Sequence, residues 1–174
     1  MRDGKFKSAH HALQFAFRTL GIPIVKMSSV NSMRGASGNG DMTPHDRHAQ
    51  AAMILALVER VVDVNGQAYV RAHYGRELAG GEHERALVNH LVRVVIGTFP
   101  TGTHYPRGVE KLVRNYFGQN IGMSAVRCDM RCGIKKANEY RDWVHQALDA
   151  IGRRAEYEVD VALRGAGLIL EEAA

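Results

Sequence analysis

One segment in the second half of the chain carries polar side chains at helical spacing between apolar ones. Residues 134–155 repeat apolar positions at intervals of three and four, the pattern of an amphipathic helix. Its Lys and Arg can donate to phosphate or guanine, Asn can pair with adenine, and Glu can accept from cytosine. This chemistry suits a helix in a major groove of DNA. The predicted DNA-binding residues, two of which precede the segment, are Arg127, Arg131, Lys135, Lys136, Asn138, Glu139, Arg141, Asp142 and His145.

The positive charge of the chain is concentrated around this segment. The 174 residues include 23 Lys or Arg and 18 Asp or Glu, for a net charge of +5. Residues 107–154 contain ten of the Lys or Arg residues and five of the Asp or Glu residues, so this stretch accounts for the whole net positive charge. Basic side chains on one surface attract phosphates through counterion release, an interaction that weakens with salt. Charge alone leaves a second interpretation open, a solvated helical face without a nucleic-acid partner.

The residues before the basic segment predict the elements that position it. We expect a helix over 109–117, a turn over 118–122, and a second helix over 123–132 that Gly133 ends before the long helix. Gly118 permits the sharp exit that a helix-turn-helix needs. The side chains predicted to face inward are Val109, Leu112, Val113, Tyr116, Phe117, Ala125, Val126, Met130, Ile134, Ala137, Tyr140, Val144, Ala147, Leu148, Ile151 and Ala155.

Helix-start signals occur earlier in the chain. Ser8 can cap a first amphipathic helix. Thr43, followed by proline and then by Asp46, has the pattern of a second helix start, and Asn65 and Gly66 are predicted to break that helix. The chain is therefore predicted to be helical from near its first residues.

The remaining segments complete a mainly α prediction. Glycine, serine and asparagine predict a flexible loop near 27–42, and shorter helices are expected over 67–74 and 82–95. Residues 23–26 and 92–98 are β-like but too short or ambiguous to establish a sheet. We expect a multi-helix protein with a C-terminal helix-turn-helix followed by a long helix. Its predicted parts are a helical region 1–104 and a DNA-binding region 105–174, packed as one compact unit.

Cysteine and histidine are the other residue types that could do chemistry. Cys128 and Cys132 are four residues apart and would share a helix face, but zinc needs four ligands, so histidines such as His104 or His145 would have to join them. Packing of two small residues at a helix interface is the simpler interpretation. The histidine pairs lack both the glutamate of a zinc-protease pattern and an acidic cluster. The sequence therefore predicts a protein that is not an enzyme and that holds no cofactor or metal.

A family resemblance gives this pattern a more specific meaning. The run over 112–126, the Gly133–Ile134 pair and residues 140–151 resemble the region-4 DNA-binding module of sigma factors and, in a phage setting, the late-gene antiterminators of the Q type. Residues 46–62 compare with the helical segment that precedes that module. The resemblance implies a transcription regulator of phage or prophage origin. Such proteins bind double-stranded DNA near a late promoter and join paused RNA polymerase holoenzyme, which then reads through terminators.

Other functions remain open at the level of sequence. A terminase small subunit also combines a helix-turn-helix with helical oligomerisation segments, and a metal-dependent nuclease could use the histidines. No apolar run approaches the roughly 20 residues needed to cross a bilayer. Two cysteines are too few for a disulfide framework. We therefore expect a protein of the bacterial host cytoplasm that has no membrane partner and can form homo-oligomers.

Overall fold

The computed structural model describes residues 5–21, 42–75, 82–99 and 105–169. In these ranges the chain is built from helices, and the predicted mainly α class is confirmed. The helices are α1 (Ala9–Gly21), α2 (Pro44–Val61), α3 (Val64–Tyr74), α4 (Glu82–Thr98), α5 (Pro106–Tyr116), α6 (Met123–Met130) and α7 (Ile134–Gly165). One isolated parallel β-bridge joins Phe6 to Ile169. Among the described residues, no helix combines the length and the apolar character needed to span a bilayer.

Two compact units make up the chain. The first contains Met1–Val62 and Glu156–Ala174, and in its described part α1 packs on α2. The second contains Asp63–Ala155, in which α3 packs on α4, α4 on α5 and α5 on α6. This division differs from the predicted one, which placed a boundary between residues 104 and 105. Helices α3 and α4 belong with the helices that follow them.

The start of α2 follows its sequence signals. The Asp46 N–H donates to Thr43 Oγ1 at 3.2 Å, and the Thr43 N–H donates to Asp46 Oδ2 at 3.2 Å. This capping box satisfies two backbone donors that the first turn would otherwise leave free. The hydrogen bond from the Thr43 hydroxyl holds the pKa of Asp46 below its ordinary value of 3.8. The prediction of a helix start at Thr43 is confirmed.

The break predicted at Asn65 and Gly66 is wrong. Helix α2 ends at Val61, and Asp63 caps α3 by accepting a hydrogen bond from the Gly66 N–H at 2.7 Å. Gly66 is therefore buried in the first turn of α3 rather than between helices. A single aspartate cap decides the boundary here, because it satisfies a free amide of the new helix.

Three predictions for irregular or β-like segments have different outcomes. Residues 92–98, considered β-like from their composition, lie in α4 and are helical. Residues 23–26 lie outside the described ranges, and so does almost all of the loop predicted near 27–42. Only 92–98 can therefore be compared with the structure.

The core of the second unit is formed mainly by the predicted inward faces of α5, α6 and α7 together with side chains of α3 and α4. Leu112 and Val113 of α5, Val126 of α6 and Val144 and Leu148 of α7 are completely buried. Each such aliphatic side chain contributes about 1.5–3 kcal/mol through removal of apolar surface from water. This core holds α5, α6 and the first part of α7 in fixed relation to one another.

Candidate nucleic-acid interface

The first turn of the candidate interface joins α5 to α6. Gly118 has a φ of 88°, and its N–H donates to the Asn115 carbonyl at 2.9 Å. The Asn115 side chain also fixes the loop: its Nδ2 donates to the Ile121 carbonyl at 2.8 Å, and its Oδ1 accepts from the Ile121 N–H at 2.7 Å. Gly118 therefore has the predicted role, while the contribution of Asn115 was not predicted. An Asn three residues before a turn glycine is a weak signal in a sequence.

The second turn joins α6 to α7 and differs from the prediction. Helix α6 ends at Met130, and Arg131 adopts a left-handed conformation with φ 48° and ψ 44°. The Arg131 N–H donates to the Cys128 carbonyl at 3.3 Å, and the Cys132 N–H donates to the Arg127 carbonyl at 3.2 Å. This pair of bonds is a Schellman motif, whose left-handed position usually holds glycine. The expectation that Gly133 ends the helix is wrong, since Gly133 lies after the reversal and has no positive φ.

Two other helix ends in the described part of the chain have the same hydrogen-bond pattern. In those motifs the left-handed residues are Gly118, with φ 88°, and Gly167, with φ 69°. A side chain in this region brings Cβ close to the following carbonyl oxygen, at a cost of about 1–2 kcal/mol. Arg131 therefore stores backbone strain that a glycine would not. Such strain in a native structure suggests that the side chain itself has a function.

Substitution of Arg131 by glycine should stabilise the folded protein by about 1 kcal/mol, because glycine adopts the left-handed conformation without a Cβ clash. Arg127→Gly, within α6, is the matched control and should destabilise by about 1 kcal/mol. Urea unfolding followed by circular dichroism measures both changes. A loss of stability in Arg131→Gly would show that contacts of the arginine outweigh the strain.

The basic side chains of the interface fall into two groups. Lys136 Nζ lies 2.8 Å from Glu139 Oε2, and Arg141 donates to Asp142 Oδ1 through Nε at 2.9 Å and Nη2 at 2.8 Å. The hydrogen bond between Lys136 and Glu139 raises the pKa of the lysine and lowers that of the glutamate. These two pairs lie on an exposed face of α7, so each nearly cancels its own charge.

The other group forms no close ion pair, although Lys135 lies near enough to Glu139 to help lower the pKa of that carboxyl group. Arg127, Arg131 and Lys135 are exposed, and they form no ion pair with any carboxylate in the part of the chain that the structure describes. Both arginines line one open depression on the surface. The residues around it are Ser124, Arg127, Cys128, Arg131, Cys132 and Gly133. The uncompensated positive charge of the predicted site is thus concentrated at the end of α6 and the start of α7.

Four residues of α7 differ from the predicted pattern. Asn138 and Arg141 are half-buried rather than fully exposed. His145 was predicted on the outer face, and that placement is wrong: the residue is half-buried, and its ring meets the Tyr116 ring edge-on at a centroid distance of 5.1 Å. Its Nε2 is buried without a hydrogen-bond partner among the described residues. Ile134, predicted to face inward, is 50% exposed at the first position of α7.

A hydrogen-bonded chain behind the interface was not predicted. The Tyr116 hydroxyl donates to Asp149 Oδ1 at 2.6 Å and accepts from the Tyr69 hydroxyl at 2.8 Å. Burial, together with the hydrogen bond to Asp149, raises the pKa of Tyr116. The Tyr69 ring lies directly against Gly152, where a Cβ atom would stand 2.6 Å from ring carbon Cε1. These hydrogen bonds and this contact connect α3, α5 and α7. In the sequence, the one sign of the arrangement is a glycine inside a long predicted helix.

The side chains that could bind a metal ion do not gather into one site in the residues that the structure describes. No group of three or more His, Cys, Asp or Glu side chains converges there as a metal site would require. Cys128 is an exposed free thiol and Cys132 a half-buried one. His48 Nδ1 lies 2.9 Å from the Pro44 carbonyl oxygen of its own helix, a local helix contact.

Comparison with known proteins finds no family model and no curated protein that matches this chain. The interface is therefore interpreted from its own geometry and charge.

Proposed function

We propose that the protein is a sequence-specific DNA-binding transcription regulator that places the end of α6, the following turn and the first turns of α7 on double-stranded DNA. The observation that carries this proposal is the grouping of Arg127, Arg131 and Lys135 around a three-residue turn between two helices. Exposed lysine and arginine side chains that form no ion pair are available to phosphates, and a turn of this length is typical of a helix-turn-helix.

The strain at Arg131 supports the proposal independently of charge. Glycine would adopt the left-handed backbone conformation of this position without strain, as it does at Gly118 and Gly167. An arginine there costs stability, and strained residues cluster at functional sites, so we infer that its guanidinium has a use that compensates the cost. Planar recognition of a phosphate by two parallel hydrogen bonds is a use for which arginine is better suited than other side chains.

The start of α7 provides the groups that could read sequence. Ile134 is exposed beside the basic residues and can contact a thymine methyl group in the major groove. The Lys136–Glu139 and Arg141–Asp142 pairs carry almost no net charge, so we assign them to base contacts and orientation rather than to attraction of the duplex. The free amides at the first turn of α7 add partial positive charge toward a nearby phosphate.

The regulatory part of the proposal rests on the resemblance to Q-type antiterminators. We propose that the DNA-bound protein acts on RNA polymerase at a late promoter of a phage or prophage, in the cytoplasm of the bacterial host. In vitro transcription past a terminator should show greater read-through when the protein is added. Unchanged read-through on the promoter of its own genomic neighbourhood would overturn this part and leave DNA binding in place.

Band shifts test DNA binding itself. The full-length protein should form a complex with duplex fragments from its genomic neighbourhood, and the complex should form in the presence of a chelator. Its affinity should fall steeply as salt increases, because each phosphate contact releases counterions. Failure to bind any duplex at low salt would overturn the proposal.

A further inference from the structure

The depression that Arg127 and Arg131 line also contains a thiol that the proposed DNA binding does not use. Cys128 is an exposed free thiol that lines the depression with Arg127 and Arg131. Cys132 lines it too, but this second thiol is half-buried and packs against the core of the second unit. Exposed cysteines in electropositive surroundings are the ones that react with small oxidants, whereas buried ones are inert. The two thiols of the protein are therefore not equivalent.

The charges around Cys128 favour one class of reagent. Two guanidiniums without carboxylate partners in the described part of the chain create a local positive field, which raises the concentration of small anions at the surface. A disulfide that carries carboxylates, such as glutathione disulfide, would be drawn to this depression. A neutral disulfide would not.

We propose that Cys128 is a modification site for anionic low-molecular-mass disulfides, and that the adduct blocks the DNA-binding surface. Cys128 loses its proton to water, and its sulfur attacks one sulfur of the reagent. A new S–S bond forms, the S–S bond of the reagent breaks, and the other half leaves with the electron pair as a thiolate that water protonates. Cys128 is oxidised and the released thiol is the reduced product.

The consequence for DNA follows from the position of the thiol. An anionic adduct on Cys128 would stand in the depression that Arg127 and Arg131 line and would compete with phosphate for both guanidiniums. A reducing agent would remove the adduct and restore the surface. This regulatory part rests on the proposed function, while the modification itself does not.

Reaction rates test the modification site without any DNA. The probes are dithionitrobenzoate, a dianionic disulfide, and dithiodipyridine, a neutral one, each reacted with the folded full-length protein. Cys128, isolated in Cys132→Ser, should react with the dianionic probe about tenfold faster than Cys132, isolated in Cys128→Ser. Replacement of Arg127 and Arg131 by glutamine should slow the dianionic probe about three- to tenfold and leave the neutral probe unchanged.

The charge-neutral variant Arg141→Gln with Asp142→Asn is the matched control and should leave the reaction rates of both probes unchanged. Equal rates for the two thiols, or an equal effect of the arginine substitutions on both probes, would overturn the modification site.

A second measurement tests the regulatory part. Protein carrying one glutathione on Cys128, verified by mass spectrometry, should bind DNA at least about tenfold more weakly than reduced protein, with recovery in dithiothreitol. Treatment of Cys128→Ser with the same reagent should leave its affinity unchanged. Equal binding by modified and reduced protein would overturn the regulation and leave the DNA-binding function intact. If reduced protein bound no DNA, the proposed function would fail, and the reaction rates would still decide the modification site.

Discussion

Gly152→Ala should lower the free energy of unfolding by about 1–3 kcal/mol, the usual cost of excess volume in a packed core. The new methyl group would meet the ring of Tyr69, which is 5% exposed and cannot move into solvent. Displacement of this ring would also stretch the hydrogen bond from Tyr69 to Tyr116. The steric cost exceeds the gain of up to about 1 kcal/mol that alanine normally brings to a helix. Thermal or urea unfolding measures the difference.

Gly97 offers a matched control for this substitution. It lies in α4, where a Cβ atom would meet no atom within 4 Å, so Gly97→Ala should stabilise by up to about 1 kcal/mol. The assignment to Tyr69 is tested by a double-mutant cycle. Tyr69→Ala should cost less in the Gly152→Ala protein than in the wild type, because in that background it also relieves the clash between the alanine methyl group and the ring. Additive effects, or stabilisation by Gly152→Ala, would contradict close packing between α3 and α7.

Replacement of Arg127, Arg131 and Lys135 by glutamine together should weaken DNA binding at least about 100-fold at moderate salt. Each lost phosphate contact should reduce the slope of log affinity against log salt by about 0.9, and the three together by about 3. The effect should be similar on specific and non-specific duplexes, since phosphates carry no sequence information. Fluorescence anisotropy titrations at several salt concentrations give both the affinity and the slope.

Two charge-neutral variants control for general damage to the surface. Lys136→Gln with Glu139→Gln, and Arg141→Gln with Asp142→Asn, each remove one ion pair and leave the net charge unchanged. Both variants should retain the wild-type salt slope, although preference among DNA sequences can change. The division between basic side chains with and without ion-pair partners would be contradicted by either of two results: an unchanged salt slope in the triple variant, or a reduced salt slope in the charge-neutral variants.

The helices and their faces follow closely from local chemistry. The Thr43 and Asp46 pair begins α2 as predicted because its hydrogen bonds are made within four residues. The inward faces of α5 and α7 were predicted from periodicity alone, and Leu112 and Leu148 are completely buried. These features depend on residues near one another in the chain, which is why one sequence is enough to predict them.

The features that sequence reasoning missed depend on distant partners. Periodicity placed Ile134 on the inner face of α7, but it carries no information on where the neighbouring helices end, and half of that side chain is exposed. His145 is half-buried because Tyr116, from another helix, packs against its ring. The ion pairs that neutralise Lys136 and Arg141 depend on side-chain rotamers. Composition could therefore locate the excess positive charge along the chain, but it could not identify the lysine and arginine side chains that form no ion pair.

The left-handed arginine has a consequence for how this sequence would evolve. Selection for folding alone should replace Arg131 with glycine, since the substitution relieves strain at a helix end and removes no hydrogen bond or ion pair of a side chain among the described residues. If the guanidinium binds DNA as proposed, selection for that contact opposes the change. Lineages that lose the partner should therefore acquire glycine at position 131 before they substitute Gly118, whose backbone already suits its turn. Among related sequences, the residue at 131 would then distinguish proteins that retain the activity from those that only retain the fold.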